Sequence, residues 1–391
     1  MLVNFRKIII VFNHIVIKYS FKRTNRCTHR INPKSIMNHL KRIIVRKSIL
    51  YQEGEITVSV EQTADKSVVS LLQRTIYGTN GPKFQQTGQE VKLKTIKNPI
   101  FFILRKHELT IGFCCLCERE VGMGTENYLG YHGRYFVIDK NHQGNNYGIL
   151  INKVAEEYIK TNATSPSIIY GYLEQNNVRS LTIIQKFKST SITTLETVIF
   201  SRLYPKADGR VIRIKESELP ELLQKLESQN AHTIFRTFEN INYQNNYFVI
   251  KENGRIVAGL QANPTRWKII EMAGLGGKIL LKVLPHIPIL KRLINPEKYD
   301  FLAIEGIFIE LGYEDYLYPL LEGVLHYFSM TSALIELDSK SSILKLFKER
   351  GDLGLLNAIK KDVKTHVMIK SFNCKTPIPH GEAYVSSFDF T

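Results

Sequence analysis

Apolar residues from about residue 55 onward fall into two kinds of pattern. Short continuous or alternating runs predict strands, and longer segments with an apolar residue at every third or fourth position predict amphipathic helices. The two kinds alternate along the chain, which favours an α/β fold with a mixed sheet. In the first half the predicted strands are 56–60, 101–104, 109–117, 135–138, 168–172 and 195–200, and the predicted helices are 63–73, 149–160 and 178–187.

A similar order of elements recurs after residue 210. The predicted strands there are 211–214, 247–250, 256–260, 301–309, 333–337 and 367–370, and the predicted helices are 218–227, 316–328 and 342–347. Two similar units of roughly 150 residues each therefore fit the chain better than one domain does. We predict the joint between them at 205–209. The segment 263–296, which contains several glycines and a Leu/Ile/Val-rich stretch, is predicted as an insertion that forms either a helical excursion or a flap.

The positive charge of the chain is concentrated near its start. The net charge is +17, but 1–50 holds twelve Lys and Arg and no Asp or Glu, and 41 basic residues face 36 acidic ones in the remainder. The body is thus only mildly basic, so specific nucleic-acid binding is not expected. The apolar stretch 8–17 is too short to span a membrane, and no signal-peptide cleavage site follows it. We interpret the leader either as a basic surface-binding helix or as an extension preceding a translation start at Met37.

The cysteines do not form the pattern of a disulfide framework. Their number is odd, and three of them lie within four residues of one apolar run. One CxxC has no second pair and no nearby pair of histidines, so no metal site is expected. We predict small apolar residues on a buried strand and a cytoplasmic location. The five are Cys27, Cys114, Cys115, Cys117 and Cys374.

The segment from Gly133 to Ile159 carries the clearest chemical signal. A strand ends at Ile138, a loop rich in Gly and Asn follows, and an amphipathic helix begins near Tyr147. Glycine and asparagine tolerate left-handed backbone, so such a loop can direct successive N–H groups inward. Together with the free N–H groups of a helix start, they would bind a pyrophosphate. An ordinary turn is the alternative. The predicted buried face of the helix consists of Leu150, Val154, Ala155 and Tyr158.

This loop resembles the acyl-CoA loop of the GNAT superfamily of N-acetyltransferases, whose pattern is Arg/Gln-x-x-Gly-x-Gly/Ala. Gln143 fills the first position and Gly148 the last, whereas Asn146 stands where Gly is usual. The run from Asn177 to Phe187 resembles a later family motif, Asn-x-x-Ala/Ser-x-x-x-Tyr-x-Lys, in which Ile184 replaces the Tyr that often acts as general acid. The resemblance implies acetyl-CoA as cosubstrate, with a cofactor site formed by Val137, Ile138, Gln143, Gly144, Asn145, Asn146, Tyr147, Gly148, Asn177 and Ser180.

The order of the surrounding strands agrees with the same family. The hairpin 101–117 resembles its central antiparallel strands, 135–138 the strand that pairs with the pantetheine arm, and 168–172 the strand that splays away to admit that arm. The resemblance is good over 55–200 and fainter over 210–371. It implies the GNAT fold in two tandem copies, with a leader at 1–50, an acetyltransferase domain at 51–205, a degenerate GNAT-like domain at 206–372 and a C-terminal tail at 373–391.

Family chemistry would require a base for the attacking amine and an acid for the leaving thiolate, with strand amides polarising the thioester carbonyl. His132, Glu118 and Glu120 are candidate bases, predicted at strand edges that face the cleft. Tyr170 and Tyr172 are candidate acids, because the usual position holds Ile184. An acceptor pocket is predicted from Tyr128, Tyr131, Tyr135 and Phe136, although aromatic residues of this kind also form cores.

The second unit lacks the loop, since Glu310, Glu314 and Asp315 stand at the matching place and would repel a pyrophosphate. We interpret it as a degenerate copy that contributes a wall of the substrate site or a dimer surface.

The leading hypothesis for the function of the protein is acetyl transfer from acetyl-CoA to a primary amine. The alternatives are a non-catalytic acyl-CoA-binding protein, favoured by Ile184 and Asn146, and a nucleic-acid-associated protein, supported only by the basic leader.

Overall fold

Two long antiparallel hairpins, one in each half of the chain, organise the molecule. A computed structural model describes residues 47–79, 82–163, 166–272, 277, 281, 286–287, 290–360, 363–374 and 378–391. The leader up to residue 46 and 13 of the 34 residues of the predicted insertion lie outside these residues. Lys47–Thr391 forms one compact unit.

The described chain contains strands of very different lengths. They are β1 (Lys47–Glu53), β2 (Ile56–Glu61), β3 (Lys83–Gln86), β4 (Pro99–Lys106), β5 (Leu109–Met123), β6 (Glu126–Ile138), β7 (Ser167–Glu174), β8 (Thr190–Ser201), β9 (Ile212–Arg213), β10 (Ile234–Arg236), β11 (Tyr247–Glu252), β12 (Arg255–Glu271), β13 (Tyr299–Ile309), β14 (Ser332–Asp338) and β15 (Lys364–Phe372). The α-helices are α1 (Lys66–Gln73), α2 (Gln89–Thr95), α3 (Tyr147–Asn162), α4 (Val178–Lys186), α5 (Leu219–Gln229), α6 (Leu317–Tyr327), α7 (Ser342–Arg350) and α8 (Leu355–Ile359).

All these strands belong to one mixed sheet. Its main order is β1-β2-β4-β5-β6-β7-β15-β8-β14-β13-β12-β11-β9, with β10 paired to β5 and β3 paired to β12. The pairs β6/β7 and β13/β14 are parallel, and the remaining pairs are antiparallel. Strand β15, from the second half, lies between β7 and β8 of the first half. Strand β8 in turn pairs with β14 of the second half, so each half completes the sheet of the other.

The internal repeat predicted from the sequence is present in this topology. In the first half, β5 and β6 form an antiparallel hairpin and β6 then pairs in parallel with β7. In the second half, β12 and β13 form an antiparallel pair and β13 then pairs in parallel with β14. Helices α3 and α6 make the two parallel crossovers, as this connection requires.

The predicted elements are found, with some extensions and omissions. Strands β5, β6 and β12 are longer than predicted, and β12 continues through the first nine residues of the predicted insertion. Five short elements were not predicted, because each is amphipathic over too few residues to show a period. They are β1, β3, β10, α2 and α8. Strand β1 begins at Lys47, so the last four residues of the predicted leader belong to the sheet.

Helices cover both faces of the first half of the sheet. Asp65 caps α1 by accepting hydrogen bonds from the N–H groups of Ser67 and Val68, and α1 then packs on the face that holds Phe113, among others. Helix α3 packs on the opposite face. Its buried stripe is Ile151, Ala155 and Ile159, whereas the other three residues of the predicted face are only partly buried. The prediction placed the stripe about one residue too early.

The last described segment, 378–391, packs against the sheet through buried residues that include Ala383, Val385 and Ser387. Its backbone donates hydrogen bonds to two carboxylates of the second parallel pair, from Ser387 to Glu305 on β13 (2.7 Å) and from Ala383 to Asp338 on β14 (2.8 Å). None of the helices in the described part of the chain is long and apolar enough to cross a membrane.

Candidate functional site

A fork opens in the middle of the first half of the sheet. Strands β6 and β7 are paired in parallel from Leu129 and Ser167 up to Gly133 and Gly171, where the ladder ends. Beyond that point, β6 continues to Ile138 paired only with β5 among the described strands. A Cβ atom added at Gly171 would lie 3.3 Å from the carbonyl oxygen of Gly133, so the two glycines let the backbones stay close where they begin to diverge. The splayed strand predicted from the sequence is therefore β7.

A β-bulge lies directly above the fork. Cys115 pairs with Tyr135, but the next residue, Leu116, pairs with Gly133, which leaves Arg134 as an extra residue of β6. A bulge of this kind leaves backbone groups outside the regular ladder and redirects the neighbouring side chains. Val137 and Ile138, two predicted cofactor residues, lie beyond the bulge on the part of β6 that has no partner in β7.

The predicted cofactor loop connects this open end of β6 to α3. Its residues Gln143, Gly144, Asn145 and Asn146 are exposed. Gly144 has φ 90° and Asn146 has φ 58°, so both adopt the left-handed backbone that the Gly/Asn composition predicts. The Asn146 side chain makes no capping hydrogen bond. Because the first N–H groups of a helix have no intrahelical acceptor, those of Tyr147 and Gly148 point out of the start of α3 toward the loop.

Gly148 differs from the expectation of an exposed loop residue. It is buried in the first turn of α3, and an added Cβ would lie 3.1 Å from Ile183 Cδ1 of α4 and 3.3 Å from Phe136 of β6. Phe136 is 38% exposed and lies on the α3 side of the sheet rather than in an acceptor pocket. The absence of a side chain at Gly148 therefore lets β6, α3 and α4 meet at the open end of the fork.

Helix α4 contributes a cation that sequence reasoning missed. The Arg179 side chain donates a hydrogen bond to Oε1 of Gln143, while Nε2 of Gln143 donates to the carbonyl of Ile138 (3.2 Å). An exposed guanidinium thus lies beside the loop, where it would meet a phosphate. Asn177 is the N-cap of α4, and its Oδ1 accepts from the N–H of Ser180 (3.1 Å). These two predicted cofactor residues therefore position α4, and their contact with a cofactor stays a prediction.

On the other face of the fork, buried polar groups form a cluster around Asp389. Its carboxylate accepts hydrogen bonds from both terminal nitrogens of Arg119, at 2.9 and 2.6 Å. Nδ1 of His132 lies 3.4 Å from Oδ1 of Asp389, and the hydroxyl of Tyr172 lies 3.4 Å from Oδ2. The hydroxyl of Tyr170 accepts from Nε of Arg119 (2.8 Å). Three of the predicted catalytic residues, His132, Tyr170 and Tyr172, are thus brought together.

The electrostatics of this cluster follow from its burial. Burial alone would raise the pKa of Asp389, but the charge and hydrogen bonds of Arg119 outweigh it and hold the pKa below its usual value. Burial raises the pKa of Tyr170 and that of Tyr172, so both phenols stay protonated at neutral pH. Tyr172 is therefore available as a hydrogen-bond or proton donor. Sequence reasoning missed Asp389 and Arg119, because no local pattern distinguishes an aspartate in a polar terminal segment from a solvated one.

The prediction that His132 lies at a strand edge is wrong, because its side chain is fully buried in the interior of the sheet. Glu118 is on the opposite face, since it pairs with Tyr131 and alternates with Cys117, which pairs with His132. Glu120 shares the Glu118 face and is exposed. The structure thus separates both glutamates from His132.

Of the four aromatic residues predicted to line an acceptor pocket, Tyr135 alone lines the cavity described next, and Tyr128 and Tyr131 belong to hydrophobic cores.

A cavity of about 390 Å³ opens on the face of the sheet that carries Asp389. Arg134, Tyr172 and Asp389 form its wall beside the fork, together with Thr391, whose carbonyl accepts a hydrogen bond from Arg134 (2.7 Å). The cavity continues past β15 and β8 toward β14 and β12. Its other lining is largely apolar and aromatic, including Phe84, Ile199, Trp267, Ile269, Tyr299 and Leu334.

The cysteines of β5 are buried free thiols, as predicted. Burial raises the pKa of Cys114 to about 12 and also raises the pKa of Cys115. Within the described residues, no group of three or more His, Cys, Asp or Glu side chains is arranged to hold a metal ion.

The corresponding loop of the second half is occupied by its own side chains. The Glu314 carboxylate accepts from the N–H of Gly312 (3.1 Å), and Glu310 pairs with Arg255 (3.2 Å). Two of the three carboxylates predicted at this place thus stand before α6 where a phosphate would bind. In addition, the segment 383–387 spans β13 and β14 at the place that corresponds to the fork.

Solved structures of acyltransferases share this fold. N-myristoyltransferase of Saccharomyces cerevisiae, solved with bound myristoyl-CoA, is 8% identical to the chain and has a TM-score of 0.53, with 82% of this chain and 84% of that chain covered. The fold is that of the GNAT superfamily. A second match is the GCN5-related glucosamine N-acetyltransferase region of a fungal multi-domain β-N-acetylglucosaminidase, at 14% identity and a TM-score of 0.54. It covers 82% of this chain, which spans only 38% of that protein.

At these identities the likeness establishes the GNAT fold, which the sequence had predicted, and leaves the activity to be argued from the site. No protein-family model matches the sequence, and no curated protein matches it.

Proposed function

We propose that the protein is an acyl-CoA-dependent N-acyltransferase that moves an acetyl group from acetyl-CoA to a primary amine. The observation that carries the proposal is the alignment of three features along β6. The fork at Gly133 and Gly171 is followed by the bulge at Arg134 and then by the loop and free N–H groups at the start of α3. This order supplies a slot for a pantetheine arm, a distorted strand for a thioester, and a cationic site for a pyrophosphate.

The charges of the site agree with this assignment of parts. A pyrophosphate at 143–148 would meet backbone N–H groups, the positive end of the α3 dipole and the guanidinium of Arg179. The arm would pass through the fork and present the thioester on the opposite face, where the cavity and the Asp389 cluster lie.

The chemistry then needs two proton transfers. The amine nitrogen attacks the thioester carbon, the C–S bond breaks, the amine loses a proton to a base, and the thiolate of CoA gains one. We assign the base to His132, whose Nδ1 lies 3.4 Å from Oδ1 of Asp389, and the acid to Tyr172, which lines the cavity. Glu118 is a weaker candidate, because its side chain lies on the other face of the sheet.

The test is incubation of the full chain with acetyl-CoA and a panel of primary amines, followed by mass spectrometry of the products and assay of released CoA thiol. Longer acyl-CoA thioesters serve as comparison substrates. Acylated amine is the expected result, and Gly171→Leu, which fills the fork, should abolish it together with CoA binding. Tight CoA binding without transfer to any amine would favour the non-catalytic alternative. Absence of CoA binding to the folded protein would refute both.

A further inference from the structure

Beyond β15 and β8, as counted from the fork, the cavity wall contains a buried carboxylate that no step of the proposed transfer uses. Glu336 lies on β14 and lines the cavity. Its Oε1 accepts a hydrogen bond from the hydroxyl of Thr197 on β8 (2.6 Å), and its Oε2 is buried without a hydrogen-bond partner. A buried carboxylate oxygen without a donor is costly, so its position in a cavity wall points to a ligand that supplies the donor.

Three further unpartnered polar atoms belong to residues that line the same cavity. They are Nε of Arg134, Nε1 of Trp267 and the hydroxyl of Tyr77, all buried. Phe84 stacks between Trp267 and Tyr77, with its ring centroid 3.9 Å from that of Trp267 and 5.8 Å from that of Tyr77. The walls are therefore apolar surfaces with a few polar atoms held in fixed places, which is the usual composition of a small-molecule site. A volume of about 390 Å³ is also within the range of such sites.

The sheet register fixes how far Glu336 is from the reacting end. Strands β15 and β8 lie between β7, which carries Tyr172, and β14, which carries Glu336. Neighbouring strands are about 4.8 Å apart, so the two positions are separated by about 14 Å across the strands, and the register adds an offset of roughly 13 Å along them. Glu336 is thus too far away to assist the proton transfers at Asp389, but it faces the same space.

We propose that Glu336 binds a second positively charged group of the acceptor, so that the substrate is an elongated small-molecule diamine with an apolar middle. This inference rests on the proposed function, and it identifies the substrate class of the same cavity. One amine reaches the thioester beside Tyr172, the apolar middle lies along the intervening strands beside Ile199 of β8, and the distal ammonium donates to Glu336.

The ionisation of Glu336 is compatible with this role. Burial raises its pKa to about 7, against the lowering effect of the Thr197 hydrogen bond and of the charge of Lys360, which also lines the cavity. A distal ammonium would stabilise the charged form further. The experiment is therefore carried out at pH 8, where the carboxylate is ionised and an alkyl ammonium remains protonated.

The variant is Glu336→Gln, which keeps the shape and removes the charge. Its matched control is Glu196→Gln on β8, which removes a carboxylate one residue from Thr197. That carboxylate pairs with Lys348 (2.8 Å), and strand alternation places it on the opposite face. Binding of α,ω-diamines of increasing length and of matching monoamines is measured by calorimetry, and turnover with acetyl-CoA is measured in parallel. Circular dichroism confirms that both variants are folded.

The expected result is that an optimum diamine binds Glu336→Gln about 10- to 100-fold more weakly than it binds the unaltered protein. Monoamine binding should be unchanged, and the Glu196→Gln control should match the unaltered protein throughout. An unchanged preference for diamines in Glu336→Gln overturns the inference. The inference is also overturned if no diamine binds. It is overturned as well if a short lysine-containing peptide binds more tightly than every diamine.

The acyl chain is the other occupant to test. If Leu334→Trp weakens myristoyl-CoA binding but not diamine binding, the cavity holds the acyl chain and the inference is overturned. Failure of the proposed function has a different signature, in which the diamine binds in a Glu336-dependent manner but no amine is acylated. The binding and turnover measurements therefore distinguish the two failures.

Discussion

Asp389 gathers cationic and phenolic groups from three strands into one buried cluster. Its carboxylate joins Arg119 on β5 and His132 on β6 and lies within reach of Tyr172 on β7. The two tyrosines of β7 take different parts in this cluster. Tyr172 lines the cavity, whereas Tyr170 is fully buried and its hydroxyl is an acceptor for Arg119.

This difference predicts different effects for the same substitution. Tyr172→Phe removes the candidate acid, so turnover should fall by at least about tenfold with CoA affinity unchanged. Tyr170→Phe removes a buried acceptor of Arg119, so it should lower the free energy of unfolding by about 1–3 kcal/mol and leave the pH profile of turnover unaltered. Steady-state kinetics and urea unfolding of both variants make the comparison. Equal turnover in Tyr172→Phe and the unaltered protein would remove Tyr172 as the acid.

The substitution Asp389→Asn tests, through the free energy of unfolding, whether the Asp389 carboxylate holds the buried cluster together. The Arg119 side chain is only 4% exposed, so loss of the carboxylate leaves a buried charge and should lower the free energy of unfolding by about 3–5 kcal/mol. The exposed pair Arg266 and Asp300 provides the control, because Asp300→Asn should cost less than about 1 kcal/mol. Urea unfolding measures both. Similar effects of the two substitutions would contradict the assigned role of Asp389.

The sign of the pH dependence follows from the lowered pKa of Asp389. A carboxylate whose folded pKa is below its unfolded value stabilises the protein above the unfolded pKa of about 4, and that contribution is lost as the pH falls through the folded pKa. The unaltered protein should therefore lose stability more steeply below pH 4 than Asp389→Asn does. Parallel acid-unfolding curves would contradict this.

At the scale of elements, the start of α3 concentrates the proposed cofactor chemistry. Gly148→Glu is a poor test of it, because the buried Gly148 faces Phe136 and Ile183 and a larger side chain would disturb their packing. Asn146 is a better position, since it is exposed, has left-handed backbone and makes no capping hydrogen bond.

Asn146→Asp should have opposite effects on stability and on binding. A carboxylate beside a helix N-terminus should stabilise α3 by about 0.3–1 kcal/mol. The same charge beside a bound pyrophosphate should weaken CoA binding by tenfold or more. Asn146→Gly, which is the residue usual in the family, should keep or improve affinity because Gly accepts the same backbone. Calorimetry and thermal unfolding check both, and unchanged CoA affinity in Asn146→Asp would mean that the loop is an ordinary turn.

The elements themselves were largely predictable, and their partners were not. The period of 149–160 and the Gly/Asn loop before it identify α3 within a few residues, because helix periodicity and turn chemistry are local properties. Strand β15 was also predicted, but its place between β7 and β8 depends on contacts with residues about 170 to 205 positions earlier in the sequence. For the same reason Arg179 and Asp389 could not be assigned to the site, since each acquires its role from a segment distant in the chain.

At the scale of the whole molecule, the two halves share a topology and differ in what occupies the fork. In the first half the fork is open and the loop before α3 is free of carboxylates from 143 to 148. In the second half the backbone of 383–387 is bonded to Glu305 and Asp338, and Glu314 occupies the loop. We therefore predict that calorimetry gives one CoA per chain and that Asn146→Asp weakens this single site. Two equivalent sites would contradict the interpretation of the second half as degenerate.

Because strands of the two halves alternate in the sheet, we predict that neither half folds without the other. The predicted boundary between the domains lies at 205/206, but β15 separates β7 from β8 and β8 pairs with β14. A fragment of residues 47–205 would leave β7 and β8 without the strand that joins them. A fragment of residues 206–391 would leave β15 without either partner and β14 without β8. Exposed strand edges and uncovered apolar side chains should keep each fragment from folding by itself.

We accordingly expect the full chain to unfold in one cooperative transition, because neither half has a complete sheet of its own. Each fragment alone should show little ordered structure by circular dichroism and no CoA binding, whereas refolding the two together should restore both signals. As the control for nonspecific rescue, each fragment is refolded together with an unrelated protein instead of with the other fragment. Independent folding and CoA binding by residues 47–205 would show that β15 is dispensable and that the first half is a self-sufficient domain.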